Sequence, residues 1–196
     1  MPRVGMRHVV AAPITNEPAN APIVYGKGLL ATRAVAADIT YERSENKYYA
    51  DDVLAESDNA AASGTISVTG SEFLPEARVA LFGVKQVTEN GKTVYRTTAA
   101  PTPYIGLGYV TVLIYKGKYK YYANWIHKMQ FALGGESART KGENIEWQDE
   151  TASGDIMGVS IDESGEPAFM DQIEFENAAD AEKWLDDKAG IVTATE

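Results

Sequence analysis

Two histidines, His8 and His127, are the only imidazoles in this chain, and it has no cysteine. Metal sites and acid–base sites both need several converging groups. Neither histidine has carboxylates at a matching spacing, so core or surface roles are expected for both. The acidic pairs Asp51–Asp52 and Asp149–Glu150 have the residue type for general acid–base work. Neighbours on a strand point to opposite faces, however, which favours solvated charge over a shared substrate. The run Asp162-Glu163-Ser164-Gly165-Glu166 offers oxygen ligands without the spacing of a calcium-binding loop and reads as an acidic hairpin turn. Ser153-Gly154-Asp155 lacks the G-x-S-x-G elbow of a catalytic serine. Gly106-x-Gly108 precedes a strand rather than a helix, so it is not a phosphate-binding fingerprint. Tyrosine, tryptophan and lysine interleave from Tyr115 to Lys128, a composition able to stack on single-stranded nucleic acid. The formal net charge of -10 opposes that use, and aromatic residues on a strand face are expected in a core or an interface. No catalytic residue, metal site or cofactor site emerges.

The elements that would carry these residues are mostly strands. From Tyr119 to Phe131 the odd positions (Tyr119, Tyr121, Ala123, Trp125, His127, Met129, Phe131) are mostly apolar. The even positions (Lys120, Tyr122, Asn124, Ile126, Lys128, Gln130) are mostly polar. That period of two predicts a strand of about a dozen residues with one apolar face. It pairs in a hairpin with Gly108–Tyr115 across the basic turn Lys116-Gly117-Lys118. A third alternating strand is expected over Glu143–Glu150. Met6–Pro13, Gly28–Tyr41 and Ser63–Thr69 read as strands, and Val84–Arg96 as a hairpin whose Asn90-Gly91 turn suits two left-handed residues. Glu42–Ala62 reads as a long excursion holding one short strand, of a length usually tied to function. Pro75, Glu76 and Gly83 bracket a short helix whose apolar face would hold Val79 and Phe82. Strands over Ile156–Ile161 and Ala168–Phe175 lead to a helix over Ala178–Lys188, capped by Asn177 and docked through Trp184 and Leu185. The sum is a mainly β chain: an antiparallel β-sandwich or barrel with one or two short flanking helices.

The length of 196 residues suits one domain, 1–196, with an arm near 42–62 and a C-terminal hairpin–helix addition near 156–190. A chain this long buries roughly 70% of its unfolded surface and needs no covalent staples. No apolar stretch follows Met1-Pro2-Arg3-Val4-Gly5, and no run approaches the roughly 18 apolar residues of a membrane span, so neither a signal peptide nor a membrane partner is expected.

Two runs carry a resemblance. One is Gly117-Lys118-Tyr119-Lys120-Tyr121-Tyr122 through Phe131, followed after a short loop by Thr140-Lys141-Gly142-Glu143-Asn144-Ile145-Glu146-Trp147-Gln148. The other is Tyr49-Ala50-Asp51-Asp52, followed by the Ser63-Gly64-Thr65 strand and the short helix. Together they resemble the major tail protein, or tail tube protein, of bacteriophages with long non-contractile tails, over most of Met6 to Val159. The C-terminal part departs from that pattern. The resemblance implies a tail-tube β-sandwich whose copies close into hexameric rings, stacked as the conduit for DNA ejection. It implies the virion tail as location, after assembly in the host cytoplasm. The implied partners are the chain itself, the tape measure, tail terminator and distal tail proteins, and DNA in transient, non-specific passage. Tyr48, Tyr49, Asp51, Asp52, Tyr122 and Lys141 are then expected at contacts between subunits. Glu146 and Glu150, opposite Ile145 and Trp147, are expected to face the lumen, where acids would repel phosphate within a Debye length of about 8 Å. The competing expectations are a β-sandwich binding module, such as an adhesin or carbohydrate-binding domain, and a hydrolase whose site carries no motif.

Overall fold

A computed structural model describes residues 2–18, 21–43, 46–50, 53–58, 61–132, 149–161 and 166–191. The strands are β1 (Arg3–Asn16), β2 (Val24–Tyr25), β3 (Leu29–Arg43), β4 (Asn46–Ala50), β5 (Val53–Asp58) and β6 (Ala61–Phe73). Helix α1 (Pro75–Phe82) follows, then β7 (Lys85–Glu89), β8 (Lys92–Arg96), β9 (Ile105–Tyr115), β10 (Lys118–Phe131) and β11 (Glu150–Ile156). The chain continues with β12 (Val159–Ser160), β13 (Pro167–Ala168), β14 (Met170–Phe175) and α2 (Ala178–Ala189). The fold is mainly β and antiparallel with two short helices, as the sequence predicts.

The main sheet runs β11-β6-β3-β1-β9-β10-β14, and β10 also pairs β11 through Met129–Phe131. That last pairing closes six strands on themselves, with β14 branching from β10 at Tyr121–Ile126. At one end the closure opens. The β1–β3 ladder spans only Val9–Ala11 against Leu29–Thr32. Beyond it β1 follows β9 and β3 follows β6. His8 sits at this divergence with φ of 55°, in the left-handed region. The result is two layers, β1-β9-β10-β14 and β3-β6-β11, joined at two corners.

Ile66, Val68, Phe73, Ile105, Leu107, Ile126, Met129, Phe131 and Ile156 fill the space between the layers. Helix α1 closes one end of this core with Ala77 and Leu81 buried. Val79 is therefore not its main anchor, and Phe82 contributes through an edge-on contact with Phe73 and a tilted one with Phe131, both at 5.5 Å between ring centres. Helix α2 lies on the outer face of the other layer. There Ala181, Leu185 and Ala189 meet Val10, Val110 and Trp125. Burying Leu185 alone favours docking by about 1.5–3 kcal/mol. The Asn177 cap accepts the Asp180 N–H at 2.8 Å, as its position predicts. Gly108 lies under the helix: a Cβ there would come within 2.8 Å of both Leu185 and the Trp125 ring. The Gly106-x-Gly108 pair thus serves close packing.

Both predicted turns form, with left-handed φ at Asn90 and Gly91 and at Lys116 and Gly117; the second is one residue shorter than expected, because Lys118 already belongs to β10 and pairs Tyr115. The remaining differences have local causes. The apolar face of β10 changes side at a bulge between Ile126 and Met129, because the strand is covered on both faces. Trp125 faces α2, whereas Ile126, Met129 and Phe131 face the core. The excursion after Glu42 holds a hairpin, β4 with β5, rather than one short strand. Strand β11 runs through Ser153-Gly154 without turning. Gly154 is needed there because a Cβ would lie 2.5 Å from the Gln130 carbonyl oxygen. The expected Ile156–Ile161 strand is instead the end of β11 followed by β12, and Ala168–Phe175 is divided between β13 and β14. Of the expected strand Glu143–Glu150, residues 143–148 lie outside the described residues, as does the Ser164–Gly165 turn, and Glu150 opens β11.

Candidate assembly interface

Strand β3 pairs β6 along its length but meets β1 only at Leu29, Leu30 and Thr32. From Ala34 to Arg43 its other edge has no strand partner among the described residues. A strand this long with one side unpaired is a template for another chain. Val35 (49% exposed) and Tyr41 (39%) stand along it. Two shorter edges also have no strand partner among the described residues: β1 over Arg3–Arg7 on the side away from β9, and β14 on the side away from β10. These two edges bound the same layer on opposite sides, the arrangement a repeating head-to-tail contact requires.

Among the described residues no helix or strand packs across the outer face of the β3-β6-β11 layer, and the Thr98–Thr102 segment borders it at Asp155 and Gln130. Register places Asp38, Ser67 and Ser153 in one cross-strand row and Thr40, Thr65 and Asp155 in the next. Glu42 opposes Ser63, and the Thr69 and Thr151 hydroxyls lie 2.9 Å apart. These side chains are exposed or half-buried, whereas the alternate residues Ile66, Val68, Ala152 and Ile156 point into the core. The rows contain hydroxyls and carboxylates, with no aromatic residue and no cation.

The β14 edge is held by charge. The Lys120 ammonium lies 2.8 Å from Glu174, and the Tyr122 hydroxyl donates to the same carboxylate. The Lys120 hydrogen bond, then that of Tyr122, holds the Glu174 carboxyl below the usual range. Asn124, buried beside them, donates to the Thr111 hydroxyl at 3.1 Å and accepts from Gln172 at 2.6 Å.

Both histidines bind carboxylates near α2. His8 meets Asp186 at 2.8 Å, and His127 meets Asp171 at 3.1 Å, with Lys188 3.3 Å from the same Asp171 carboxylate. Trp125 Nε1 donates to the Tyr25 hydroxyl, which donates to the His127 carbonyl at 2.8 Å. Burial pushes the Tyr25 phenol up to about 12, and does the same to Tyr109. These contacts fasten the helix and β14 to the barrel. Among the described residues no three histidine, aspartate or glutamate side chains are placed to share a metal ion.

Of the residues expected at contacts between subunits, Tyr122 lies on β10 and is tied to Glu174. Tyr48 and Tyr49 lie on β4, where only the backbone is described. Asp51, Asp52 and Lys141 lie outside the described residues, as does the lumen candidate Glu146. Glu150 is half-buried rather than a solvated acid. Its carboxylate accepts the Phe73 N–H at 3.2 Å and lies 2.9 Å from the Arg78 guanidinium, fixing the start of α1. Its side of β11 is opposite to that of Thr151, Ser153 and Asp155. The free β3 edge and the hydroxyl face were not singled out from the sequence. Their signal is nevertheless there, as polar residues at every second position in Asp38-x-Thr40-x-Glu42, Ser63-x-Thr65-x-Ser67-x-Thr69 and Thr151-x-Ser153-x-Asp155.

No known protein family matches the chain in a scan, and a search of curated proteins finds no match.

Proposed function

We propose that this chain is a structural subunit that pairs with copies of itself into rings and, by stacking, into a tube: the tail tube of a long-tailed bacteriophage. The observation that carries the reading is the long edge of β3 from Ala34 to Arg43, which has no strand partner among the described residues although six strands of the protomer close on themselves. An edge of this length exposes several backbone donors and acceptors, and pairing with a second copy satisfies them without unfolding either partner. The open β1 and β14 edges fit a repeating contact of the same kind. Ring closure removes free edges altogether, which a dimer through one edge does not. Tape measure, terminator and distal tail proteins are the implied partners, and DNA the implied cargo. The β4–β5 hairpin extends the β3–β6 ribbon and is the proposed arm to a neighbouring subunit or ring.

The test is to charge the edge. Val35→Lys places an ammonium beside the free strand at an exposed position, where protomer stability should change by no more than about 0.5 kcal/mol. Light scattering on a size-exclusion column should show assemblies for the parent and for Val35→Thr, and a folded monomer for Val35→Lys. A parent protein that stays monomeric at high concentration contradicts the proposal.

A further inference from the structure

We infer that the tip of the β9–β10 hairpin makes the stacking contact, docking on the acidic corner where β6 enters α1 of a second copy. This rests on the tube reading above and says which surfaces join one ring to the next. Edge pairing runs its hydrogen bonds across the strands, so the β3, β1 and β14 edges serve contacts to the side. A contact along the strands must come from their ends. Helix α1 sits at one end, where Phe82 meets Phe131 at the close of β10 and Phe73 at the close of β6. The β9–β10 turn, Lys116-Gly117, lies at the other end of the same hairpin. The eleven residues of β9 set the two ends about 35 Å apart.

The two ends are chemically complementary. Neither β9 nor β10 contains a carboxylate, in a chain whose formal net charge is -10. Lys120 is paired with Glu174 and Glu176, whereas Lys116 and Lys118 are exposed and meet no carboxylate among the described residues. Tyr115 and Tyr119 flank them, 43% and 57% exposed, with the Lys116 ammonium 5.3 Å from the Tyr115 ring centre. A solvated turn has use for cations but not for two exposed phenol rings, and tyrosine is a residue that anchors interfaces. At the other end the β6–α1 corner exposes Glu72, Leu74 and Glu76, with Leu74 at 48%. The cation beside them, Arg78, is engaged by Glu150. Neither Glu72 nor Glu76 is in an ion pair among the described residues. In the docked pair the ammonium groups meet carboxylates and a tyrosine ring covers Leu74. Each copy carries both surfaces, so the contact is head to tail and repeats without limit. The occupant of the corner is therefore the next copy of this chain.

Reversing the charge of either end tests the contact. Lys116→Asp with Lys118→Glu reverses the tip, and aspartate tolerates the left-handed φ at 116. Glu72→Lys with Glu76→Lys reverses the corner. Both leave the β3 edge untouched, so each variant should still form rings, seen by electron microscopy and by light scattering on a size-exclusion column, but no tubes. Rings of the two variants mixed together should stack in alternation, because each reversed end then faces the opposite charge. A mere loss of stability cannot produce that rescue. Tyr119→Thr keeps a strand-forming residue at its position and is the second variant should a charge reversal fail to fold; it should give rings and shortened tubes. Tubes of parental length from the tip-reversed variant or from Tyr119→Thr overturn the assignment and leave the tip to solvent or to nucleic acid. Mixed rings that stay apart overturn the pairing of these two ends while the rings stand. A parent protein that forms neither rings nor tubes overturns the tube reading itself, and this contact with it.

Discussion

Glu150 separates two roles open to one carboxylate, a free acid and a structural anchor. As a lumen acid it would be free, and its removal would leave the protomer's stability unchanged. The structure ties it to two donors: the N–H of Phe73, a residue only 1% exposed, and the Arg78 guanidinium. Glu150→Ala removes both acceptors. A buried backbone donor left unpaired costs about 1–3 kcal/mol. The ion pair adds little, because both side chains keep about a third of their exposure (35% for Arg78, 31% for Glu150), and such pairs are worth about 0.2–1 kcal/mol in water. The expected loss is about 2 kcal/mol, most of it from the N–H. Glu150→Gln keeps one oxygen as acceptor and should lose under about 1 kcal/mol. The assay is urea unfolding, read as a lower midpoint at an unchanged slope. An alanine variant as stable as the parent would refute the anchoring role. So would glutamine and alanine variants equally destabilised, since the backbone contact would then not be the larger part.

Gly108→Ala should destabilise the protomer by about 1–3 kcal/mol, the usual cost of overpacking, because the new methyl meets Leu185 and Trp125 at 2.8 Å; urea unfolding with Trp fluorescence reads it. Among the described tyrosines, Tyr25 and Tyr109 should resist ionisation most strongly. Tyr25 and Tyr109 have folded-state values near 12 against an ordinary 10.0. The stability due to keeping them neutral is therefore fully present below pH 10 and is lost as pH rises towards 12. Ultraviolet titration at pH 11 should show these phenols still protonated in the folded protein and ionised after unfolding; complete ionisation without unfolding would contradict their burial.

Much of the architecture was legible in the sequence because it is written in local chemistry. Asn90-Gly91 and Lys116-Gly117 form the turns their left-handed φ values require, and Asn177 caps α2 as a side-chain acceptor. Gly83 ends α1 in the left-handed conformation. What escaped is set by contacts distant in sequence. The β10 bulge changes which residues face the core, and it follows from coverage by α2 on one side and the β3-β6-β11 layer on the other. The passage of β11 through Ser153-Gly154 depends on the approach of Gln130, which no local pattern announces. Glu150 looked solvated beside Asp149 because its partner Arg78 lies 72 residues away. The hydroxyl–carboxylate face had a visible period of two on each strand, but only the register of three strands makes it one surface.

The most direct measurement of the central claim is electron microscopy of the concentrated, purified protein. The account predicts rings with an open centre, and tubes built by stacking them, from the parent chain, with neither from Val35→Lys. A field of compact single protomers at every concentration would contradict it.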